Sequence, residues 1–296
     1  MLEALQPQHE FEHHGPVARG VGVPNAKLRH GYAPVSARRN PSARRTFWTI
    51  ACFEAAMTAP FRKWTVLPHG KLTAVAENIR TVTGTARMPF GEFPRRMTVV
   101  RLTDGRLVVY SAVALDADGM RSLEAFGEPA FLIVPGDHHR LDAGIWKDRY
   151  PRLRVVAPPG ARAKIEETVA VDATEIDFGD PGVCFATVLG TRGHEAALEV
   201  HGADGFTLVL NDIVANIRHA PGGFTGWLWR VMGFAGDAPQ IPLPEKLTIL
   251  DDKAALAAQL RNWANDPALK RILVSHGDPI ETDPAGALRA LAAALD

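Results

Sequence analysis

The chain has only two cysteines, Cys52 and Cys184, in 296 residues. They form neither a CxxC pair nor a disulfide framework, so nothing demands an oxidising compartment. No stretch approaches the ~20 consecutive apolar residues that a membrane-spanning helix needs. An excess of one charge is also lacking: Lys plus Arg number 33, and so do Asp plus Glu. Such a balance leaves no electrostatic footprint for nucleic acid, and no basic helix face points to a membrane surface. There is no Gly-x-Ser-x-Gly, so serine hydrolase chemistry has no motif. The cluster Gly20-Val21-Gly22-Val23-Pro24 lacks a preceding strand and a following helix, which excludes a phosphate or dinucleotide loop. Arg44-Arg45 before the apolar run 46–53 looks like a twin-arginine leader, but Glu54 interrupts the run and no small-residue cleavage site follows. The expectation is a cytoplasmic protein with a small-molecule substrate or ligand, no nucleic acid and no membrane span. Its oligomeric state is left open.

What is present is ordinary for a globular protein: 46% hydrophobic and 22% charged residues, in a chain long enough for a sizeable core. Residues 1–60 differ from the rest. They are rich in Pro, Gly, Arg and His, with Arg38, Arg39, Arg44 and Arg45 clustered and no sustained period. Such a segment buries too little apolar surface to offset its ordering entropy, so it is expected to be a disordered extension. His9, His13, His14 and His30 in it are expected to be solvated, and Met57 offers a shorter start. Residues 61–296 are expected to form one domain.

There the pattern becomes regular. Asn78 to Thr83 alternates as a strand does, and Met97–Leu102 and Arg106–Val113 are β-rich runs joined by Thr103-Asp104-Gly105. Asp-Gly between such runs is a strong hairpin signal, because glycine tolerates positive φ. A helix is expected over 118–126, a buried strand over 130–134, a polar loop over 135–142, a short helix around Trp146 and a strand over 154–157. A helix starts at Ala161. Further strands are expected at 174–178, 183–188, 196–200 and 206–210, then an aromatic helix at 226–233 and an ending of helix 253–263, strand 271–274 and helix 284–295. The glycine-flanked aromatic run 222–234 is either a helix packed on a sheet or an apolar lid or docking surface. Strands in two groups, with helices late in each half, imply a layered α/β sandwich.

Polar residues follow several of these strands, where α/β folds put their ligands. They are Asp137-His138-His139 after the 130–134 strand, His194 in Thr191-Arg192-Gly193-His194, Asp212 after Leu210-Asn211, His276 before Gly277, and, less clearly, Asp142. Imidazole and carboxylate are the ligand set for zinc or a similar divalent ion, although any one such histidine can equally be structural.

Their order and spacing, from Asn78 to Gly277, resemble the metallo-β-lactamase fold superfamily. The resemblance implies a four-layer αββα sandwich. It also implies a His-x-His-x-Asp-His loop after a buried strand, supplying most ligands of two metal ions. A Gly-His then adds to the first ion, a strand-end Asp bridges both, and a last His completes the second. His194, Asp212 and His276 match the last three positions. In the loop, Pro135-Gly136-Asp137-His138-His139-Arg140-Leu141-Asp142 aligns His138 with the second histidine, Gly136 with the first, and Arg140 with the aspartate. An arginine cannot ligate and repels a cation, which argues against two ions.

His138, His194, Asp212 and His276 remain as ligands of one divalent ion, zinc first, with iron or manganese as alternatives. His139 joins them if the loop takes another register. Asp212 or an unligated His139 would orient water or accept its proton, and Arg140 and His139 would contact an anionic substrate group. The catalytic residues themselves stay unassigned. The expectation is a metal-dependent hydrolase-like protein with a single-metal site and unknown substrate. The alternative is a non-catalytic protein of the same fold that binds a small molecule or protein partner without metal.

Overall fold

The computed structural model describes residues 59–88 and 91–296. The disorder expected for residues 1–60, the arginine-led run and the tail histidines therefore fall outside the described residues, save for positions 59 and 60.

Six strands form the first sheet in chain order: β1 (Thr73–Ala74), β2 (Ile79–Met88), β3 (Gly91–Arg101), β4 (Arg106–Tyr110), β5 (Glu128–Ile133) and β6 (Arg154–Val156). The pairings from β1 to β4 are antiparallel; β4–β5 and β5–β6 are parallel. Parallel neighbours need crossovers, supplied by helices α1 (Ala117–Glu124) and α2 (Ala143–Arg149); α3 (Arg162–Glu166) follows β6. The second sheet has β7 (Val183–Thr187), β8 (Ala196–Gly202), β9 (Gly205–Asn216) and β10 (Leu269–Gly277), in the order β10-β9-β8-β7. Between β9 and β10 run α4 (Gly223–Val231), α5 (Leu243–Thr248) and α6 (Lys253–Ala264), and α7 (Pro284–Ala293) comes last.

The period-2 alternation of each strand dictates the layers. Val99, Leu107, Val109, Leu132 and Val155 bury one face of the first sheet against Met120, Leu123, Ile145, Trp146 and Ile165 of its helices. Their alternates Val100, Val108, Tyr110, Phe131, Ile133 and Val156 meet Leu198, Val200, Val209 and Leu273 of the second sheet. Beyond it, Leu208, Leu210, Ile272 and Val274 pack on Leu256, Leu260, Trp263, Leu288 and Leu291 of α6 and α7. Helix, sheet, sheet, helix is the four-layer αββα sandwich the sequence implied.

Local signals hold where they had a mechanism. Gly105 turns the β3–β4 hairpin at φ +88°, and Asp104 Oδ1 accepts from the Arg106 N–H at 3.0 Å. Asp116, Asp252 and Asp283 cap α1, α6 and α7 by accepting from Gly119, Ala255 and Gly286 N–H groups.

Three expectations change. Residues 174–178 are not a strand: Ile176 and Phe178 do face the inter-sheet core, but the backbone pairs only at an isolated bridge, Asp177 to Cys184. Strand β9 runs on to Asn216, so Asp212 lies within it rather than beyond its end. The aromatic helix begins earlier, at Gly223. Trp229 anchors it against Phe93 at 4.9 Å, while Trp227 and Val231 are more than half exposed. No helix among the described residues is long and apolar enough to cross a membrane.

Trp146, on the inner face of α2, is fully buried, beside Trp64 at 5.6 Å and Tyr150 at 5.8 Å. Trp146→Ala is expected to lower unfolding free energy by about 3–5 kcal/mol, measured by urea denaturation.

Candidate metal centre

Residues of β2, β3, the 138–141 loop, β9, β10 and the 232–248 segment line a cleft that is partly open to solvent. Its walls include Met88, Phe93, Leu141, Met232 and Phe234, and its polar floor is formed by His138, His139, Asp212 and His276. Three of these meet. His139 Nε2 lies 3.0 Å from Asp212 Oδ1, His276 Nε2 lies 2.8 Å from the same oxygen, and the two nitrogens are 3.1 Å apart. Among the described residues this is the one cluster of three such groups with donor atoms close enough to share a metal ion.

Each side chain is aimed by a different device. Strands β9 and β10 pair at Leu210–Val274 and next at Ala215–His276. Residues 211 to 214 of β9 thus stand opposite Ser275 alone, and this bulge carries Asp212 to the cleft. His276 is held by its other nitrogen: Nδ1–H donates to the Pro94 carbonyl at 2.7 Å, which turns Nε2 towards Asp212. That carbonyl is free because β3 runs past the end of β4 there. His139 Nδ1 lies 2.6 Å from Ser111 Oγ. Ser111 turns the chain after β4 in the left-handed region, at φ 57°, a conformation a non-glycine residue adopts at a cost.

The electrostatics are those of a buried, mutually dependent set. Burial alone would raise the Asp212 carboxyl, but the two imidazoles outweigh it and hold the group well below its usual range. Burial lowers the pKa of His139, against the pull of Asp212, so the ring favours the neutral form that ligation requires. The donor set fits a divalent ion. Tetrahedral coordination at ~2.0–2.1 Å separates ligand atoms by about 3.3 Å, little more than the separations found here.

The other residues singled out in the sequence lie as follows. His138 lines the cleft next to the three-residue cluster. His194 pairs through Nδ1 with Asp137 Oδ2 at 3.0 Å and is not one of the three. The Arg140 guanidinium reaches Glu167 at 2.7 Å and the Lys164 carbonyl at 3.0 Å, and is not part of the cleft wall. Asp142 is fully buried, ion-paired to Arg95 and accepting from the Ala114 N–H at 3.2 Å, so it pins the end of the loop. Three contributors gave no sequence signal: Ser111, the Pro94 carbonyl and Glu195. Glu195 is buried behind the bulge, where burial and the negative charge of Asp212 push its carboxyl well above the usual range.

Two loop ion pairs should differ in weight, because one is buried and the other is partly exposed. Asp142→Ala leaves Arg95 charged and buried without its partner and is expected to cost about 3–5 kcal/mol. Arg140→Ala breaks a pair with a half-exposed Glu167 and is expected to cost no more than about 1 kcal/mol. Chemical denaturation of the two variants checks both.

No protein-family model matches the sequence, and no curated protein does. Solved structures match well in shape. The metallo-β-lactamase from Hirschia baltica aligns with a TM-score of 0.52 and 11% identity, covering 75% of this chain and 97% of that one. DIM-1 metallo-β-lactamase exposed to ceftazidime gives 0.53 and 13%, covering 78% and 100%. FIM-1 from Pseudomonas aeruginosa in its mono-zinc form gives 0.51 and 12%, covering 77% and 96%. With two sheets between helical layers and solved metallo-β-lactamases aligned over nearly their whole length, the chain has the metallo-β-lactamase fold.

Proposed function

We propose that the protein is a metal-dependent hydrolase of small molecules, holding one divalent ion, zinc first and iron or manganese as alternatives, on His139, Asp212 and His276. The observation that carries this is the convergence of three donor atoms within 3.1 Å from a loop, a bulged strand and a third segment. In the terms of the resemblance, His139 then stands at the last histidine of the His-x-His-x-Asp-His loop. That register puts His138 at the aspartate, Gly136 at the second histidine and Val134 at the first. The set that survives is the second ion's, and the first ion loses both histidines of its pair.

His139, Asp212 and His276 would hold the ion with three protein ligands, the number typical of catalytic rather than structural sites. A divalent ion there supplies a Lewis acid and lowers the pKa of water towards about 7. The chain's own residues do the rest. Ser111 and the Pro94 carbonyl keep two rings oriented, and His138, outside the set, can hold or accept a proton. Met88, Phe93, Met232 and Phe234 limit bulk water and fit an apolar substrate body. The second reading is a metal-free binding protein of the same fold; the missing first-ion histidines and the apolar walls favour it.

Metal analysis of protein purified without a histidine tag is expected to find about one ion per chain, with a thermal shift on metal addition. Hydrolysis of a panel of chromogenic esters, thioesters, phosphodiesters and lactams should be sensitive to chelator. His276→Ala is expected to weaken metal affinity by at least about a hundredfold. Substoichiometric metal with no thermal shift defeats the proposal. Full occupancy without turnover of any class turns it to a metal-containing binding protein.

A further inference from the structure

Glu195 is only 2% exposed, an unusual setting for a carboxylic acid. It lies where three segments meet. Its Oε1 accepts from Asn211 Nδ2 at 3.0 Å, and its Oε2 accepts, at a longer 3.4 Å, from the Ile213 N–H. Those are the two neighbours of Asp212, so one side chain brackets the bulge from both sides. On its other flank is the loop that leads to His139. A Cβ at Gly136 would come 2.5 Å from Glu195 Oε1 and 3.0 Å from Asn211 Nδ2. No side chain fits there while the carboxyl occupies that space. The loop is further tied to this strand where the Ala196 N–H donates to the Pro135 carbonyl at 2.9 Å.

We propose that Glu195 is a positioning residue of the metal centre, joining the Asp212 bulge to the His139 loop so that their donor atoms meet. This rests on the metal reading above. Gly136 is its counterpart: the glycine that removes a histidine from the loop is what admits the carboxyl behind it. The three groups that bear on the site from this side are thus one packed unit.

Zinc affinity by competition titration, cobalt absorption spectra and melting temperatures would be measured on the full chain and three variants. Glu195→Ala is expected to weaken zinc binding about 10- to 100-fold and to shift the cobalt bands. Glu195→Gln, which keeps the shape and an acceptor, should recover most of that loss. Gly136→Ala tests the contact from the opposite side, and remains decisive if Glu195→Ala does not fold; it should weaken binding in the same way. A folded Glu195→Ala or Gly136→Ala protein with wild-type zinc affinity and cobalt spectrum, whatever its melting temperature, overturns the proposal. So does Glu195→Gln binding no better than Glu195→Ala. Failure of the unaltered chain to bind zinc or cobalt overturns the metal reading itself.

Discussion

The Asp212 carboxylate sits almost out of water with two imidazole nitrogens at 2.8 and 3.0 Å from one oxygen. A carboxylate so placed carries a desolvation cost of several kcal/mol, which only close positive or hydrogen-bonding partners can offset. His139 and His276 are those partners, and they come from segments far apart in sequence. Burial of this one group therefore obliges a loop of the first sheet and a strand of the second to end at the same point. A divalent cation would satisfy the same demand more completely, since it gives the carboxylate and both rings a common positive partner.

The fold meets that obligation by small irregularities in regular elements. Four residues of β9 oppose one of β10, which lifts Asp212 out of the ladder. β3 outruns β4, which frees the Pro94 carbonyl for His276. Ser111 takes a left-handed backbone to turn the chain beside His139. The buried Asp142–Arg95 pair closes the loop's far end. Each is a local departure from ideal geometry, and together they surround the three donor atoms, as irregularities at functional sites tend to do.

The likeness to solved metallo-β-lactamases extends over nearly their full length at 11 to 14% identity, so shape is shared where sequence is not. Alternating apolar residues on two sheets suffice for the layers, and many sequences satisfy that pattern. The site is less permissive. His139, Asp212 and His276 bring three donor atoms within 3.1 Å of one another, and a carboxyl and an amide, Glu195 and Asn211, fill the space beside Gly136 behind them. The cleft above is walled mainly by apolar side chains, and the exposed Trp227 and Val231 extend that character along the outer face of α4.

How much was legible follows from what each feature depends on. The layers depend on local periodicity. The Asp104-Gly105 turn and the run of β5 carry their own signals and are found as expected, and with them the αββα architecture. The 174–178 segment shows the limit: Ile176 and Phe178 alternate as in a strand, yet a strand needs a partner along its length, and alternation says nothing of partners. Asp212 and His276 were marked by residue type and setting next to apolar runs. Which of two adjacent histidines meets them was not, because a one-residue change in a loop's path redirects a side chain without altering composition. Arg140 likewise draws attention as a charge inside a motif, but Glu167, brought beside it by α3, decides where it points. The sequence by itself determined the layers and the kinds of donor available, since both rest on residue type and short-range order. Tertiary structure decided which donors meet, because that depends on a strand bulge, a free carbonyl and a buried carboxyl whose positions are set only when the two sheets pack.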